Sequence, residues 1–591
     1  MRDVIVIGAG GGGPVVAKEL AARGLDVLLL EGGARHADPE REWTDLEDDA
    51  NNPLWGYLRV GPQERTKPWW LRDTAQNSFV FQIAGVGGTT LHYFGNCPRP
   101  SAGGFSGYDG PDRSAYDTAH LFPFTYEEFR PYLEWVEATL PVQTAPMGTK
   151  ESIFFRGCER VGLPVQTTKD ILRDAFRPQE NAILQPGGTA GLTRDSSQLL
   201  FPQATGCTFC GYCTQGCFQP RQAPRNLKAK RSTDNSYVPM ALTADAWADG
   251  GRAVTLVTDA YVTRIHTRLT LTGLRAAGVT WRDVSSGDVH TEDATVVVMA
   301  GGCIEDPRLW LNSGLPNPNG WVGRGLTDHA FDWVTGVFDE ETDSSKGPSS
   351  ACRADFPGRG SIENIGVPPA VEALSLLLSD SGIRGAYGAG RGLTGAWDGP
   401  TGRPVGLELK EMLSDVNKLL NILVITDDDV ESKNRVMLSS LPPDQNGRLA
   451  KVRMHKRQRS ARTRANREFL ATRAAEILRA AGARKIVRID MAPLMLHNQS
   501  SMRMGASPLD SVLDAEAQSR AVKGLYIADN AALANCAVGA NPTLTTQALA
   551  TRTSEKIFTR WFGGDPWVGT EDPVSSIDDS VTEAVLASDA V

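Results

Sequence analysis

Residues 3–33 read DVIVIGAGGGGPVVAKELAARGLDVLLLEGG, and this stretch limits the fold more tightly than any other. Val4 to Ile7 is a short apolar, β-branched run of the kind that forms a buried parallel strand. Gly8, Gly10 and Gly13 follow as G-x-G-x-x-G. Pro14 to Ala22 reads as helix, and Val27 to Leu30 as a second apolar strand that runs into Glu31. Strand, glycine turn, helix, strand and terminal acid stand in the order of a dinucleotide-binding βαβ unit. Gly8 allows the tight turn, Gly10 lets backbone approach a pyrophosphate, and Gly13 lets the helix pack closely on the strand. The helix start turns free N–H groups and its positive dipole end toward phosphate, and Glu31 can accept from ribose hydroxyls. The motif alone does not choose between FAD and NAD.

Bulk properties narrow the class. A chain of 591 residues has room for roughly three to five domain-sized units, or fewer interleaved larger ones. It is 41% hydrophobic and 22% charged, ample for a core. The net charge of -9 argues against a nucleic-acid partner. The basic run from Lys451 to Arg467 is expected to coat the exposed face of a helix. No run of 18 apolar residues predicts a membrane span, and the start of the chain is used by the first strand, so a cytoplasmic location is expected unless a partner exports it. Nine cysteines in such a compartment read as thiols or metal ligands.

Later segments return to the nucleotide sheet. Ala294 to Ala300 is an apolar strand, followed by Gly301-Gly302 and a helix near Pro307 to Asn312. Leu525 to Ala528 is another strand, followed by Asp529. Asn541-Pro542-Thr543 then leads into a helix over Gln547 to Phe558, with Pro542 suited to a helix start. Together with AGVGGTT (84–90), GGCIEDPRLWLNSG (301–314), VGRGLTDH (322–329) and LHNQSSMRMG (496–505), these pieces resemble the glucose–methanol–choline (GMC) oxidoreductases from Val4 to about Phe562.

The resemblance implies an α/β chain: a Rossmann-like FAD-binding domain built from discontinuous segments, and an α+β substrate-binding domain with an antiparallel sheet. FAD-binding segments are expected at 1–119, 201–330 and 490–563, and substrate-binding segments at 120–200 and 331–489. An acidic tail, 564–591, serves as a strap or is partly disordered. Strand-like runs at Ile422 to Ile425 and Arg435 to Leu438 and a helix over Ala461 to Ala481 fall in the substrate region, as does a helix over Tyr126 to Leu140. The piece from Asp343 to Arg403 is rich in Gly, Ser and Pro and reads as a mobile cover.

The resemblance also implies FAD-dependent oxidation of an alcohol, with the hydride going to flavin N5. His497 matches the family's catalytic histidine and would take the hydroxyl proton; Asn541 matches its partner and would hold the substrate oxygen. Gly87 and Gly88 belong to the second flavin contact. His92 stands near where some sugar-oxidising members bond a histidine covalently to the flavin, while others hold FAD non-covalently. Asp529 would hydrogen-bond the ribityl or pyrophosphate region, or cap the following helix. Pro542 and Thr543 lie beside the cofactor. His329 is expected to cap or bridge between domains, without a catalytic role. The leading substrate is a sugar or glycoside hydroxyl, with Trp55, Trp69, Trp70 and Trp397 available for stacking. A sterol or other hydrophobic alcohol is an alternative, as is a flavin electron-transfer subunit without alcohol chemistry. The electron acceptor is oxygen or a redox partner, and oligomeric state is unspecified.

One motif stands apart. Cys207, Cys210, Cys213 and Cys217 in GCTFCGYCTQGC are spaced C-x2-C-x2-C-x3-C, the run of bacterial ferredoxins, although Phe218 replaces the usual proline. Three readings stay open: an iron–sulfur cluster passing electrons onward from FAD, a structural zinc knot, or a metal-free loop of buried thiols.

Overall fold

The protein was analysed as a computed structural model that describes residues 1–36, 82–184, 206–217, 224–386, 395–456 and 458–588, with the strand pieces Tyr57–Leu58, Thr74–Ala75 and Phe79–Val80. The first strand, Arg2–Ile7, is the middle of a parallel sheet. Val27–Leu30 pairs with it on one side and Val289–Met299 on the other; Thr255–Val257 and Leu525–Ile527 extend the two flanks. Val4–Ile7, Val27–Leu30 and Val296–Met299 are all buried, which is why they read as unbroken apolar runs: both sheet faces are covered. The helices Gly13–Ala21 and Thr543–Phe562 pack on each other beside this sheet. Val289–Met299 also has a second partner. Its first residues pair antiparallel with Gly273–Asp283, which continues into Ala260–Thr270.

The second sheet has six strands, all antiparallel, in the order Lys485–Arg488, Asp332–Val337, Leu419–Thr426, Gly360–Ile365, Cys352–Phe356, Ala175–Pro178. One face lies on the long helix Ala461–Ala481, where Val334, Ile362, Ile422 and Val424 meet Leu470, Ala474 and Leu478. Side chains alternate across a strand. Cys352, Ala354 and Phe356 therefore join that helix-side core, and Arg353 and Asp355 are sent to the opposite face. The α/β fold with a discontinuous nucleotide-binding domain and an antiparallel second sheet is thus present.

Two expectations change. The Asp343 to Arg403 piece is not a mobile cover over its first half. Cys352–Phe356 and Gly360–Ile365 are fully buried strands, and the glycines make the turn and the close approach between them: a Cβ on Gly360 would sit 2.1 Å from Ile425 O. Residues 387–394 of that piece lie outside the described residues. The basic run from Lys451 to Arg467 is not a solvated helix face either. Arg459 is buried against Asp428 and Asp328, Arg462 pairs with Asp427 and Asp429, and Arg467 with Asp332 and Asp490. These arginines tie the helix start to the acidic end of strand Leu419–Thr426. Composition shows the charge but not the acids that meet it.

Helix Tyr126–Thr139 begins with a capping box between Thr125 and Glu128 and packs on Thr543–Phe562, with Trp135 Nε1 donating to Glu19 Oε1 at 2.8 Å. Helix Thr149–Arg160 packs instead on Ala461–Ala481. The tail acts as a strap: Ser576 N donates to Thr139 O, and Asn226 Nδ2 to Thr582 Oγ1 in the terminal helix Asp579–Ala587. Among the described residues no helix is long and apolar enough to cross a membrane.

Candidate active site

The glycine turn is built by contact. A Cβ on Gly13 would lie 1.9 Å from Gly8 O, and one on Gly8, at φ +101°, 2.4 Å from Ala300 O. Helix, turn and neighbouring strand therefore touch backbone to backbone. Gly12, outside the G-x-G-x-x-G count, is the tightest of all, 1.8 Å from Ala528 O. Gly10 differs. The nearest atom to its Cβ position is Gly88 Cα at 3.9 Å, so that side is open. The helix N-cap is Gly12, and no side chain caps it. An open cradle in front of an uncapped helix N-terminus fits a pyrophosphate.

Glu31 closes the other side. Its Oε2 accepts from Ala9 N at 2.7 Å and its Oε1 from Gly33 N at 2.8 Å. Burial pushes this carboxyl up to about 7, against the pull of those N–H groups. The segment from Ala84 docks directly on the turn. Gly87 N donates to Ala9 O, a Cβ on Gly88 would press on Gly10 Cα at 2.7 Å, and Thr233 Oγ1 donates to Gly10 O at 2.9 Å. Thr233 had no motif to mark it. Asp529 accepts from Gly302 N at 2.6 Å and from Ala531 N at 2.7 Å; burial raises its carboxyl, and a hydrogen bond with Asp306 opposes the rise. It caps the turn Asn530–Ala532 and joins it to the start of helix Gly302–Asn312. Pro542 is the N-cap of helix Thr543–Phe562, and Thr543 its first residue. Bound FAD would be held by the Gly8–Gly13 turn, Glu31 and the Gly87–Gly88 turn, with Asp529, Asn541, Pro542 and Thr543 at the adjoining strand and helix ends.

The chemical end of the site sits where the two sheets meet. His497 follows the short strand Leu494–Met495 and is half-buried. Its Nδ1 lies 2.9 Å from Nδ1 of His329, with the rings nearly perpendicular and Phe331 edge-on at 5.1 Å. His329 is fully buried, and its Nε2 lies 2.6 Å from Cys536 O. His329 and Ala330 both have positive φ, +69° and +40°, a disfavoured conformation for non-glycine residues. Burial holds His329 down to about 4 and His497 well below the ordinary histidine range; His329 and then Arg353 push His497 further in the same direction. Both rings are neutral at neutral pH.

Asn541 is reached through Arg353. Arg353 Nη1 donates to Asn541 Oδ1 and to Glu363 Oε1, both at 3.0 Å, and its Nε donates to Asp355 Oδ1 at 2.7 Å. Asn541 Nδ2 reaches Glu363 Oε2 at 3.4 Å. With its carbonyl oxygen committed to Arg353, Asn541 presents its amide hydrogens as donors. Arg353 and Glu363 have no exposed surface. Neither was marked by a motif, because both lie in the segment whose composition resembles a loop. Their one sequence trace is the alternation of CRADF and GSIENI, which is visible once those stretches are known as strands.

His92 is placed at the edge of this assembly, its Nδ1 2.7 Å from Thr214 O in the cysteine loop. Lys230 locks the same two segments, its Nζ donating to Leu91 O, Tyr93 O and Cys213 O. The cysteine loop as folded does not fit a cluster. Cys207 and Cys213 are buried against Ile183, Cys210 is exposed and Cys217 half-buried. Among the described residues no three His, Cys, Asp or Glu side chains are gathered to hold a metal. The loop turns at Gly211 and Gly216, both at positive φ. Trp397 is buried beneath the Arg488 guanidinium at 4.4 Å, away from any stacking role; Trp55, Trp69 and Trp70 lie outside the described residues.

Models of the GMC oxidoreductase family match residues 173–331 and 430–550. Over 95% of both chains the protein is 26% identical to a 2-methyl-1,2-propanediol dehydrogenase of Mycolicibacterium austroafricanum. It is 25% identical to a paromamine 6'-oxidase of Streptomyces fradiae, over 94% of this chain and 91% of that one. Its fold is similar to that of formate oxidase from Aspergillus oryzae, with a TM-score of 0.58 at 12% identity, covering 95% of this chain and 99% of the other. With both family models in place around an assembled dinucleotide cradle and a buried histidine site, the chain belongs to the GMC oxidoreductase family of FAD-dependent enzymes that act on alcohols.

Proposed function

We propose that the protein oxidises a primary or secondary hydroxyl of a sugar or glycoside to the carbonyl, with His497 as the base. The observation that carries this reading is the neutral His497 beside the Arg353–Asn541–Glu363 network. A base must be unprotonated to work, and burial beside Arg353 keeps this ring so. With Asn541 Oδ1 held by Arg353 and one amide hydrogen directed to Glu363, the second amide hydrogen would donate to the substrate oxygen and stabilise the alkoxide character that grows as the proton leaves. His497 takes that proton while the C–H bond breaks. Bound FAD would accept the hydride at N5. Arg353 and Glu363 are fully buried and paired with each other, so their part is to hold Asn541 in place. The paromamine oxidase relative supports a sugar-like substrate.

A second reading, a hydrophobic alcohol, draws on the other flank. Phe331 lies against His497, and its apolar cluster includes Ile365, Leu423 and Ile425, with Leu496 packed against it. Anaerobic bleaching of the flavin against sugars, glycosides, 1,2-diols, sterols and long-chain alcohols separates the two, and admitting air afterwards shows whether oxygen is the acceptor. Bleaching by sugars or glycosides at least about tenfold faster than by sterols or long-chain alcohols supports the proposal. The reverse order overturns the substrate class, and bleaching by none of them overturns the reaction.

A further inference from the structure

Two short contacts fix where the hydrogens sit. Cys536 O can only accept, so His329 Nε2, at 2.6 Å, must carry a hydrogen. Gln499 Nε2 lies 3.0 Å from the same nitrogen but has its own acceptor in His497 O, also at 3.0 Å. A neutral imidazole carries one ring hydrogen, so His329 Nδ1 is bare. The 2.9 Å contact between the two Nδ1 atoms then needs a hydrogen from the other ring. That hydrogen is on His497 Nδ1, and His497 Nε2 is left with a lone pair. Among the described residues nothing hydrogen-bonds His497 Nε2.

We infer that His329 is a positioning residue that holds His497 in its Nδ1–H form and so makes Nε2 the nitrogen that takes the substrate proton. This rests on the reading of His497 as base and goes a step further. The backbone supports it. His329 keeps an unfavourable φ of +69°, and its carbonyl is pinned by Thr426 N at 2.8 Å, so its ring is aimed at His497 by the fold. When Nε2 gains the proton, the imidazolium still donates from Nδ1 to the neutral His329, so no rearrangement is needed during the step. His329 stays neutral because it is buried and Arg353 and Arg459 lie near it.

The test uses the FAD-loaded full chain and whichever alcohol of the panel above bleaches the wild-type flavin fastest. Asparagine tolerates positive φ and places Oδ1 where Nδ1 stood; glycine tolerates the same φ and offers no acceptor. His329→Asn should keep the limiting rate of flavin reduction within about fivefold, whereas His329→Gly should lower it about 10- to 100-fold with the half-saturating concentration unchanged, the usual size for losing a group that orients a working histidine. In a His497→Ala background His329→Gly should add nothing, since it acts only through His497. Independently of activity, nitrogen-15 NMR of the histidine-labelled protein, which has eight histidines, should show His497 Nδ1 protonated and Nε2 bare. A protonated Nε2 in the resting protein overturns the inference, as do equal losses in the Asn and Gly variants or a full effect of His329→Gly without His497. Unimpaired reduction in His497→Ala alone would instead overturn the base itself, so the two failures are distinguishable.

Discussion

Replacing Arg353 by methionine removes three buried hydrogen bonds at once: to Asp355, Glu363 and Asn541. Asp355 keeps a partner, because Arg177 Nε lies 3.1 Å from its other oxygen. Among the described residues Glu363 keeps only neutral donors, chiefly Asn96 Nδ2 at 2.9 Å, and loses its charged partner; breaking a buried ion pair on one side costs about 3–5 kcal/mol. At about 2–4 °C per kcal/mol for a unit of this size, the melting temperature should fall by roughly 10 °C. The loss should depend on pH. Burial raises the Glu363 carboxyl already, and Arg353 opposes that rise. Without the arginine the folded carboxyl holds its proton to higher pH than the unfolded one does. Native protein then binds more protons than unfolded, so stability falls as pH rises from about 4.3 toward the raised value. Arg353→Met should therefore lose more stability at pH 8 than at pH 5. Function should change in a matching way. Arg353 helps hold the His497 ring down, so without it the ring protonates at higher pH. The acid limb of the flavin-reduction rate moves to higher pH, and the maximal rate falls because Asn541 is no longer anchored. Thermal melts at the two pH values and anaerobic stopped-flow reduction across pH 5–9 measure both. A melting temperature within about 2 °C of wild type at both pH values, with an unmoved acid limb, would refute the reasoning.

The glycine turn gives a contrast. Gly10→Ala places its Cβ in open space and should leave folding intact while lowering FAD occupancy, whereas Gly12→Ala collides with Ala528 O and should cut the yield of folded protein; absorbance ratios and soluble yield read the two. Glu31→Gln replaces the acceptor that holds Ala9 N and Gly33 N, at about 1–3 kcal/mol for a buried donor left unsatisfied, so FAD should bind about 5- to 150-fold more weakly in a titration of apoprotein. Anaerobically purified protein should contain less than about 0.1 iron per chain and show no absorption beyond the flavin bands, since among the described residues no three ligand side chains are gathered to hold a metal; stoichiometric iron would contradict that account of the loop.

Elements in both halves of the fold could be read closely from residues. Val27–Leu30 and Ala461–Ala481 match their expected limits, and Arg2–Ile7 extends the expected strand by two residues, because apolar runs and helical spacing reflect burial that neighbouring chain cannot alter. Cys352–Phe356 and Gly360–Ile365 were hidden for the opposite reason. Their site-facing positions hold Arg353, Asp355, Glu363 and Ser361, and polar residues on a buried face imitate a loop until their partners from distant chain are known. The same lack of partners disguised the Arg459–Arg467 ion pairs as a solvated face. His497 and Asn541 could be found by motif; His329 was visible as a motif residue but not as a partner of His497, since 168 positions separate them. The cysteine spacing pointed to a ligand set that is not gathered among the described residues.

The central claim is that His497 takes the substrate proton. His497→Ala should keep its FAD and its melting temperature, because the ring is only half-buried and makes one side-chain hydrogen bond, to His329. Anaerobic stopped-flow with the best alcohol of the panel should then show flavin reduction slowed by about 10²- to 10⁴-fold, the usual contribution of a positioned general base. Reduction at the wild-type rate in a fully FAD-loaded His497→Ala protein would contradict the account.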